Sequence, residues 1–456
     1  MGSILNATTD IVLPRVHDDQ KTLANLSRCS KRLQALAQPV LFHYFHTGID
    51  RMTFAESMRP MLSFLRAIVQ KPHLARAVQA LAFNDDDGTW TGGTVDSETQ
   101  MLLREAGERV AFRPLTQYKD ADLRWMQEVA IAMTPRLNQL LVYRVTDSRD
   151  SRPTHGNFPH LKWSPVTFPN LACLVFAGSY DECYDDGIMY RYHVGDMRHL
   201  IDRSPNVEVL LVVDGTYDRL PAATESWKGS LPKLRKLSFN DLNVTFGADA
   251  ILRGCPTLEE LEYCCDPYGA YLLQPESLDI VRSTLRRLSY SIKDFDQPHL
   301  YHDVFDAWEL DMGHRYGYPA LESLGGDDFS FAHFPRLAYL EIQQILFYYV
   351  DIDIQTCGCQ RFLAKLPPAV QTLRIGAVIS WSVMYRDLMG LSEALKDFVY
   401  LELIELEGFT EPDTDQIRHL QEMFSANGVT LSVGVVEGYY RGFLGLKPGQ
   451  DCRRPQ

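Results

Sequence analysis

Leu234-Arg-Lys-Leu237-Ser-Phe239, Leu258-Glu-Glu-Leu261-Glu-Tyr263 and Leu285-Arg-Arg-Leu288-Ser-Tyr290 are three copies of one phrase: Leu, two variable residues, Leu, one variable residue, then an apolar residue. The same phrase starts at Leu137, Leu171, Leu337 and Leu401, Val-led versions start at Val78, Val207 and Val370, and a looser copy starts at Leu321. Its last half alternates with period two, so the second Leu and the final apolar residue point to one face of a strand. A strand buried on one face cannot be stable alone. Stacked copies make a parallel sheet whose inner face is closed by the return segments, which is how leucine-rich repeat solenoids are built. The residue between the two apolar positions then faces the concave, solvent side: Ser238, Glu262, Ser289, Glu341, Arg374 and Glu405.

Spacing agrees with this reading. From Val207 through Leu234 and Leu258 to Leu285 the steps are 27, 24 and 27 residues, inside the range of about 20 to 29 for such repeats. The step from Leu137 to Leu171 is 34 and predicts an insertion. Val145, Gly215 and Lys293 stand where the pattern expects Asn or Cys, so the array is irregular. The predicted fold class is α/β: an N-terminal helical unit followed by an irregular repeat solenoid with its parallel sheet on the concave face.

With 45% hydrophobic residues in 456, the chain can bury a large core, and a solenoid grows by adding repeats rather than domains. Nine scattered cysteines, an odd number with no signal-peptide pattern ahead of them, predict free thiols in a reducing compartment, cytoplasmic or nuclear. No apolar run of about 18 residues is present to span a membrane, and Asn6 breaks the myristoylation pattern that Met1-Gly2 begins. Residues 1 to 80 carry ten Lys and Arg against five Asp and Glu; with −14 overall, the remainder carries −19. An acidic body without a basic, aromatic-interleaved stripe excludes nucleic acid as the expected partner.

Ahead of the repeats, Leu23, Leu26, Ser30 and Leu33 fall at helical spacing after Asp18-Asp19, and Pro39 is placed to start a second short helix bearing Val40, Leu41, Phe42 and Phe45. The run from Leu23 to Phe45, with Leu13-Pro14 ahead, resembles the F-box of fungal F-box proteins. The stretches Phe64 to Phe83 and Phe362 to Arg374 resemble the linker and a repeat of the same proteins. The resemblance implies a non-catalytic substrate-recognition adaptor of a cullin-based ubiquitin ligase. Leu13, Pro14, Leu23, Leu26, Ser27, Ser30 and Leu33 would contact a Skp1-like linker protein, and through it a cullin, while the repeats hold a target. One departure stands out: only Arg15-Val-His17 separates Pro14 from Asp18, where the family carries a whole helix. Three residues rise about 4.5 Å as helix, too little for one. The alternative is a repeat scaffold without a ligase connection. The implied organisation is an F-box-like unit over 1–50, a helical linker over 51–72, repeats over 73–436, with a last strand over 428–433 after a helix around 417–424, and a disordered tail over 437–456.

Chemistry-bearing clusters are incomplete. His299, His302 and Asp303, the pair Tyr192-His193 with His199, Cys357 with Cys359, and Cys264 with Cys265 all lack a full metal-ligand spacing, and Cys264 is expected as a buried small hydrophobe. No phosphate loop or nucleophile elbow occurs. No cofactor, metal or enzymatic activity is expected. Acidic residues instead follow the repeat strands: Asp85, Asp86, Asp87, Asp214, Asp241, Asp266, Asp294 and Asp327-Asp328. Aromatics share the loops, among them Trp90, Tyr180, Tyr184, Tyr217, Tyr268 and Phe295. With Glu262 on the concave face, this acidic, aromatic rim predicts a basic protein target.

Overall fold

The computed structural model describes residues 16–47, 54–85, 96–112, 123–144, 158, 160–161, 164–177, 179–180, 189–190, 192–193, 197–213, 215–217, 229–244, 251–265, 275–292, 330–344, 359–378, 381–408 and 413–435. Its strands are β1 Tyr44–His46, β2 Ala80–Asp85, β3 Gln139–Arg144, β4 Cys173–Ala177, β5 Ser179–Tyr180, β6 Met189–Tyr190, β7 Tyr192–His193, β8 Val209–Val213, β9 Gly215–Tyr217, β10 Lys236–Val244, β11 Glu260–Cys265, β12 Arg287–Ile292, β13 Tyr339–Gln343, β14 Thr372–Val378, β15 Leu403–Gly408 and β16 Thr430–Val435. Twelve of them, β1 to β4, β8 and β10 to β16, form one open, all-parallel sheet in chain order. Sequential order without reversal is what stacked copies of one unit produce, and the α/β arrangement is compatible with a repeat solenoid.

Register aligns the phrases residue for residue. Leu237, Leu261 and Leu288 stand side by side, continued by Leu340, Leu373 and Ile404 on one flank and by Leu210, Leu174, Leu140 and Leu81 on the other. All are buried in the main core, as are the final apolar residues two places later, from Phe83 to Leu406. Three of those final residues form an edge-to-face aromatic ladder: Phe239 to Tyr263 at 6.3 Å and Tyr263 to Tyr290 at 5.7 Å between ring centroids.

The leading Leu or Val of most phrases closes a turn. The Leu137 amide donates to the Thr134 carbonyl, Leu171 to Phe168, Val207 to Ser204, Leu234 to Leu231, Leu258 to Cys255, Leu337 to Phe334 and Val370 to Pro367. The second residue of each of these turns is proline: Pro135, Pro169, Pro205, Pro232, Pro256, Pro335 and Pro368. Proline suits that position because its φ is already set near the turn value. The recurring Pro-x-Leu, or Pro-x-Val at Val207 and Val370, is a repeat signal the phrase alone does not include. After each turn, one carbonyl accepts two amides from the next copy: Arg235 O from Glu259 and Glu260, Glu259 O from Arg286 and Arg287, Ala338 O from Gln371 and Thr372.

The same two-to-one bond ties Gln79 and Ala80 to the His43 carbonyl. The stretch Tyr44–His46 therefore serves as the first strand although it lacks the phrase, with Phe45 in the leucine row beside Leu81. Phe45 stacks on Phe64 at 3.9 Å, joining the strand to the helix Phe54–Gln70. Ahead of it, the helical spacing read through Ser30 is interrupted. Helix Val16–Cys29 ends before Ser30, which is extended and caps a second helix, Lys31–Leu41, by accepting the Leu33 amide at 3.2 Å. A serine hydroxyl satisfies an orphan N–H at a helix start better than it serves mid-helix. Pro39 consequently lies inside that helix near its end, two residues before Leu41, rather than at the start of another.

Return segments carry helices on the inner side at both ends of the sheet. Leu123–Met133 is almost wholly buried, and its Glu128 carboxylate accepts the Leu161 amide at 2.6 Å. Near the other end, Trp381–Glu393 packs on Cys359–Lys365, and Thr414–Ser425 covers β16. A Cβ added at Gly390 would lie 2.5 Å from the Cys359 Cβ and 2.6 Å from its Sγ. Gly390→Ala is therefore expected to destabilise the protein by about 1–3 kcal/mol through overpacking, although alanine is the better helix former by about 1 kcal/mol. A thermal melt unchanged or raised by this substitution would contradict the close approach.

Candidate binding surface

The residue between the two apolar positions points away from the main core, and register places these residues in one row. Ala82, Leu141, Val175 and Leu211 occupy it on β2 to β8, and Ser238, Glu262, Ser289, Glu341, Arg374, Glu405 and Ser432 occupy it on β10 to β16. The outward face thus has two halves of opposite chemistry. The first is apolar and buried: Ala82, Leu141, Val175 and Leu211 form a second small core with Tyr44, packed by Ala80, Cys173 and Val209. Burial pushes the Cys173 thiol up to about 11 and raises the Tyr44 phenol above its ordinary value.

The second half is polar, and its charges are organised across strands. Lys236 on β10 reaches Glu262 at 2.6 Å and Glu260 at 3.8 Å on β11. Arg374 on β14 reaches Glu341 on β13 at 3.0 Å, and Glu407 at 2.5 Å and Glu405 at 4.0 Å on β15. Between these groups the Arg287 guanidinium lies 3.5 Å from the centre of the Tyr339 ring, a cation–π contact. Tyr339 also donates its hydroxyl to Glu341 at 3.1 Å. Loss of hydration raises the buried Glu341 carboxyl above the usual carboxylate range, outweighing Arg374, Ser289 and Tyr339, which all favour its ionised form. For Arg374, burial disfavours the charge, but Glu341 and Glu407 outweigh it and hold the guanidinium above its ordinary value. The charged form is thus favoured at Arg374 and disfavoured at Glu341, because Glu341 is the more deeply buried of the two.

The expected site residues fall in four places. Leu13, Pro14, Asp86, Asp87, Trp90, Asp214, Asp266 and Asp294 lie outside the described residues, with Tyr184, Tyr268, Phe295, Asp327 and Asp328. His299, His302, Asp303 and Cys357 lie there too. Asp85 ends β2, Tyr180 ends β5 after β4, Tyr217 ends β9 after β8, and Asp241 is the bulged residue of β10 between Asn240 and Leu242. Asp85 and Tyr217 end strands that run parallel to their neighbours, whereas Tyr180 belongs to a separate antiparallel pair of β5 with β6 and Asp241 lies within β10. Glu262 stands apart from them on the face, bonded to Lys236. At the N-terminus, Leu23, Leu26 and Ser27 lie on helix Val16–Cys29, with the Ser27 hydroxyl bonded to the Ala24 carbonyl at 2.7 Å, while Ser30 caps the next helix. Leu33 is exposed on that helix with Leu36 and Val40.

Cys264, expected as a buried small hydrophobe, is only half-buried, on the outward face. Among the described residues no group of three or more His, Cys, Asp or Glu is arranged to hold a metal ion, and no helix is long and apolar enough to cross a membrane. The sequence reading missed the contribution of Arg287, Tyr339 and Lys236 to this face. The signal was present: each stands two places before an outward residue already recognised, and period two puts both on one side. A scan against protein-family models matches none, and a search of curated proteins returns no match.

Proposed function

We propose that the chain is a non-catalytic recognition adaptor. In this reading the helices Val16–Cys29 and Lys31–Leu41 are an F-box-like unit that docks a Skp1-like linker and through it a cullin. The parallel sheet is the concave face of a leucine-rich repeat solenoid that holds a protein target. The observation that carries the reading is an exposed apolar stripe on the second helix. Leu33, Leu36 and Val40 are 37%, 66% and 42% exposed, and their spacing of three and four places them on one helical face. A leucine two-thirds exposed beside two further apolar residues fits a helix that buries this face against a partner.

The test is recovery of the full chain with a purified Skp1-like linker, and the expected result is a complex. Leu36→Glu is expected to weaken it at least tenfold while leaving stability within about 0.5 kcal/mol, because the side chain is exposed. Failure of the unaltered chain to bind would remove the ligase connection. It would favour the second reading, an interaction scaffold, to which one observation points: helix Val16–Cys29 begins two residues after Pro14, leaving no room for a preceding helix between them.

A further inference from the structure

The outward face is open to a ligand only in part, and its exposures say where. Val175 in the apolar half is 1% exposed, whereas the side chains of Glu260, Glu262, Glu405 and Glu407 are between 36% and 44% exposed. On β10 to β15 the outward strand residues include three cations, Lys236, Arg287 and Arg374, against five carboxylates, Glu260, Glu262, Glu341, Glu405 and Glu407. The charges are not spread evenly. Lys236 is outnumbered two to one at β10 and β11, and Arg374 three to one at β13 to β15. Lys236 and Arg374 are less exposed than the carboxylates of β11 and β15 around them, so negative charge is what reaches solvent there; Arg287, opposite Glu260 in register, is engaged on the Tyr339 ring. Between the two poles stands Arg287 on the Tyr339 ring, a flat platform that repels a cation placed over it.

From this arrangement we infer that the outward face of β10 to β15 binds an extended peptide lying across the strands, with one basic side chain over each acidic pole and none between them. The inference rests on reading the chain as a binding protein and specifies the ligand of that same face. Geometry sets the spacing. β11 and β15 are four strand steps apart, about 19 Å at about 4.8 Å per step. An extended peptide advances about 3.3 Å per residue, so the two basic residues stand about six positions apart. The internal ion pairs hold the carboxylates in place before the ligand arrives, which reduces the ordering cost of binding. Complementary charge speeds encounter and makes it salt-dependent.

Fluorescence anisotropy with the full chain and labelled synthetic peptides tests this. The probe is a Gly/Ser peptide with two arginines six positions apart; the controls place the arginines two apart or replace both by glutamate. The first peptide is expected to bind at least tenfold tighter than either control, and to lose affinity as salt is raised. Two variants read the poles separately, Glu260→Gln with Glu262→Gln, and Glu405→Gln with Glu407→Gln. Each pair is expected to reduce affinity about tenfold with the native circular dichroism spectrum retained, the Glu405 and Glu407 pair melting lower because Arg374 is left with Glu341 alone. Should one pair disturb folding, the other still decides. Equal binding of both arginine spacings, or affinity unchanged in both variants, would overturn the inference. Loss of peptide selectivity with linker binding intact refutes this inference alone. Intact peptide selectivity with no linker binding refutes the ligase reading alone.

Discussion

Tyr263→Ala is expected to lower the unfolding free energy by about 3–5 kcal/mol, the range for removing a large aromatic side chain from a core. Tyr263 is 2% exposed and touches Phe239 on one side and Tyr290 on the other, so its loss opens a cavity and ends two edge-to-face contacts at once. It lies at the centre of the sheet, where neighbouring copies stabilise one another, so cooperativity between the two flanks should suffer as well. Tyr263→Phe keeps the ring and is expected to cost no more than about 1.5 kcal/mol, the worth of one hydrogen bond. Urea denaturation of both variants makes the comparison. A Tyr263→Ala loss below about 1 kcal/mol would mean that the row is not close-packed there.

Arg374→Ala is expected to cost about 3–5 kcal/mol near neutral pH, because it leaves the buried Glu341 carboxylate without its counter-charge. The loss should depend on pH in a definite direction. Glu341 is already raised in the folded protein, mainly by burial. Between its unfolded and folded pKa the native chain therefore binds more protons than the unfolded chain, and stability falls as pH rises through that window. Removing Arg374 raises Glu341 further and widens the window upward. The variant should accordingly be closest to the unaltered protein at the acid end of that window and furthest from it at the alkaline end. Equal losses at pH 5 and pH 8 would show that Glu341 is not the group left uncompensated.

The strands at Leu237, Leu261 and Leu288 were legible because one-sided burial imposes period two, and nothing else in the segment competes with it. Tyr44–His46 was not legible in the same way. Its aromatic run satisfies a short helix as well as a strand, and the two amides of Gln79 and Ala80 on the His43 carbonyl decide the matter from 36 residues away. Ser30 was equally ambiguous, since the spacing of Leu26, Ser30 and Leu33 is compatible with one continuous helix; its extended backbone and the bond it accepts from Leu33 resolve it into a cap.

For the binding surface, the outward row could be listed from alternation alone, from Ser238 to Glu405. The acidic rim was inferred from Asp and aromatic residues following the repeat strands, and most of those residues lie outside the described ones; of the rest, Asp85 ends β2, Tyr180 ends β5, Tyr217 ends β9 and Asp241 lies within β10. The amino-acid sequence by itself determined the repeat, its inner face and the order of its strands, because these follow from local alternation and from the need of each copy to bury its face on the next. Only the tertiary structure decided which carboxylates accompany Arg374 and how deeply Glu341 is buried. Those partners come from strands 31 to 33 residues away, and their energies depend on register and lost hydration, which no local pattern encodes.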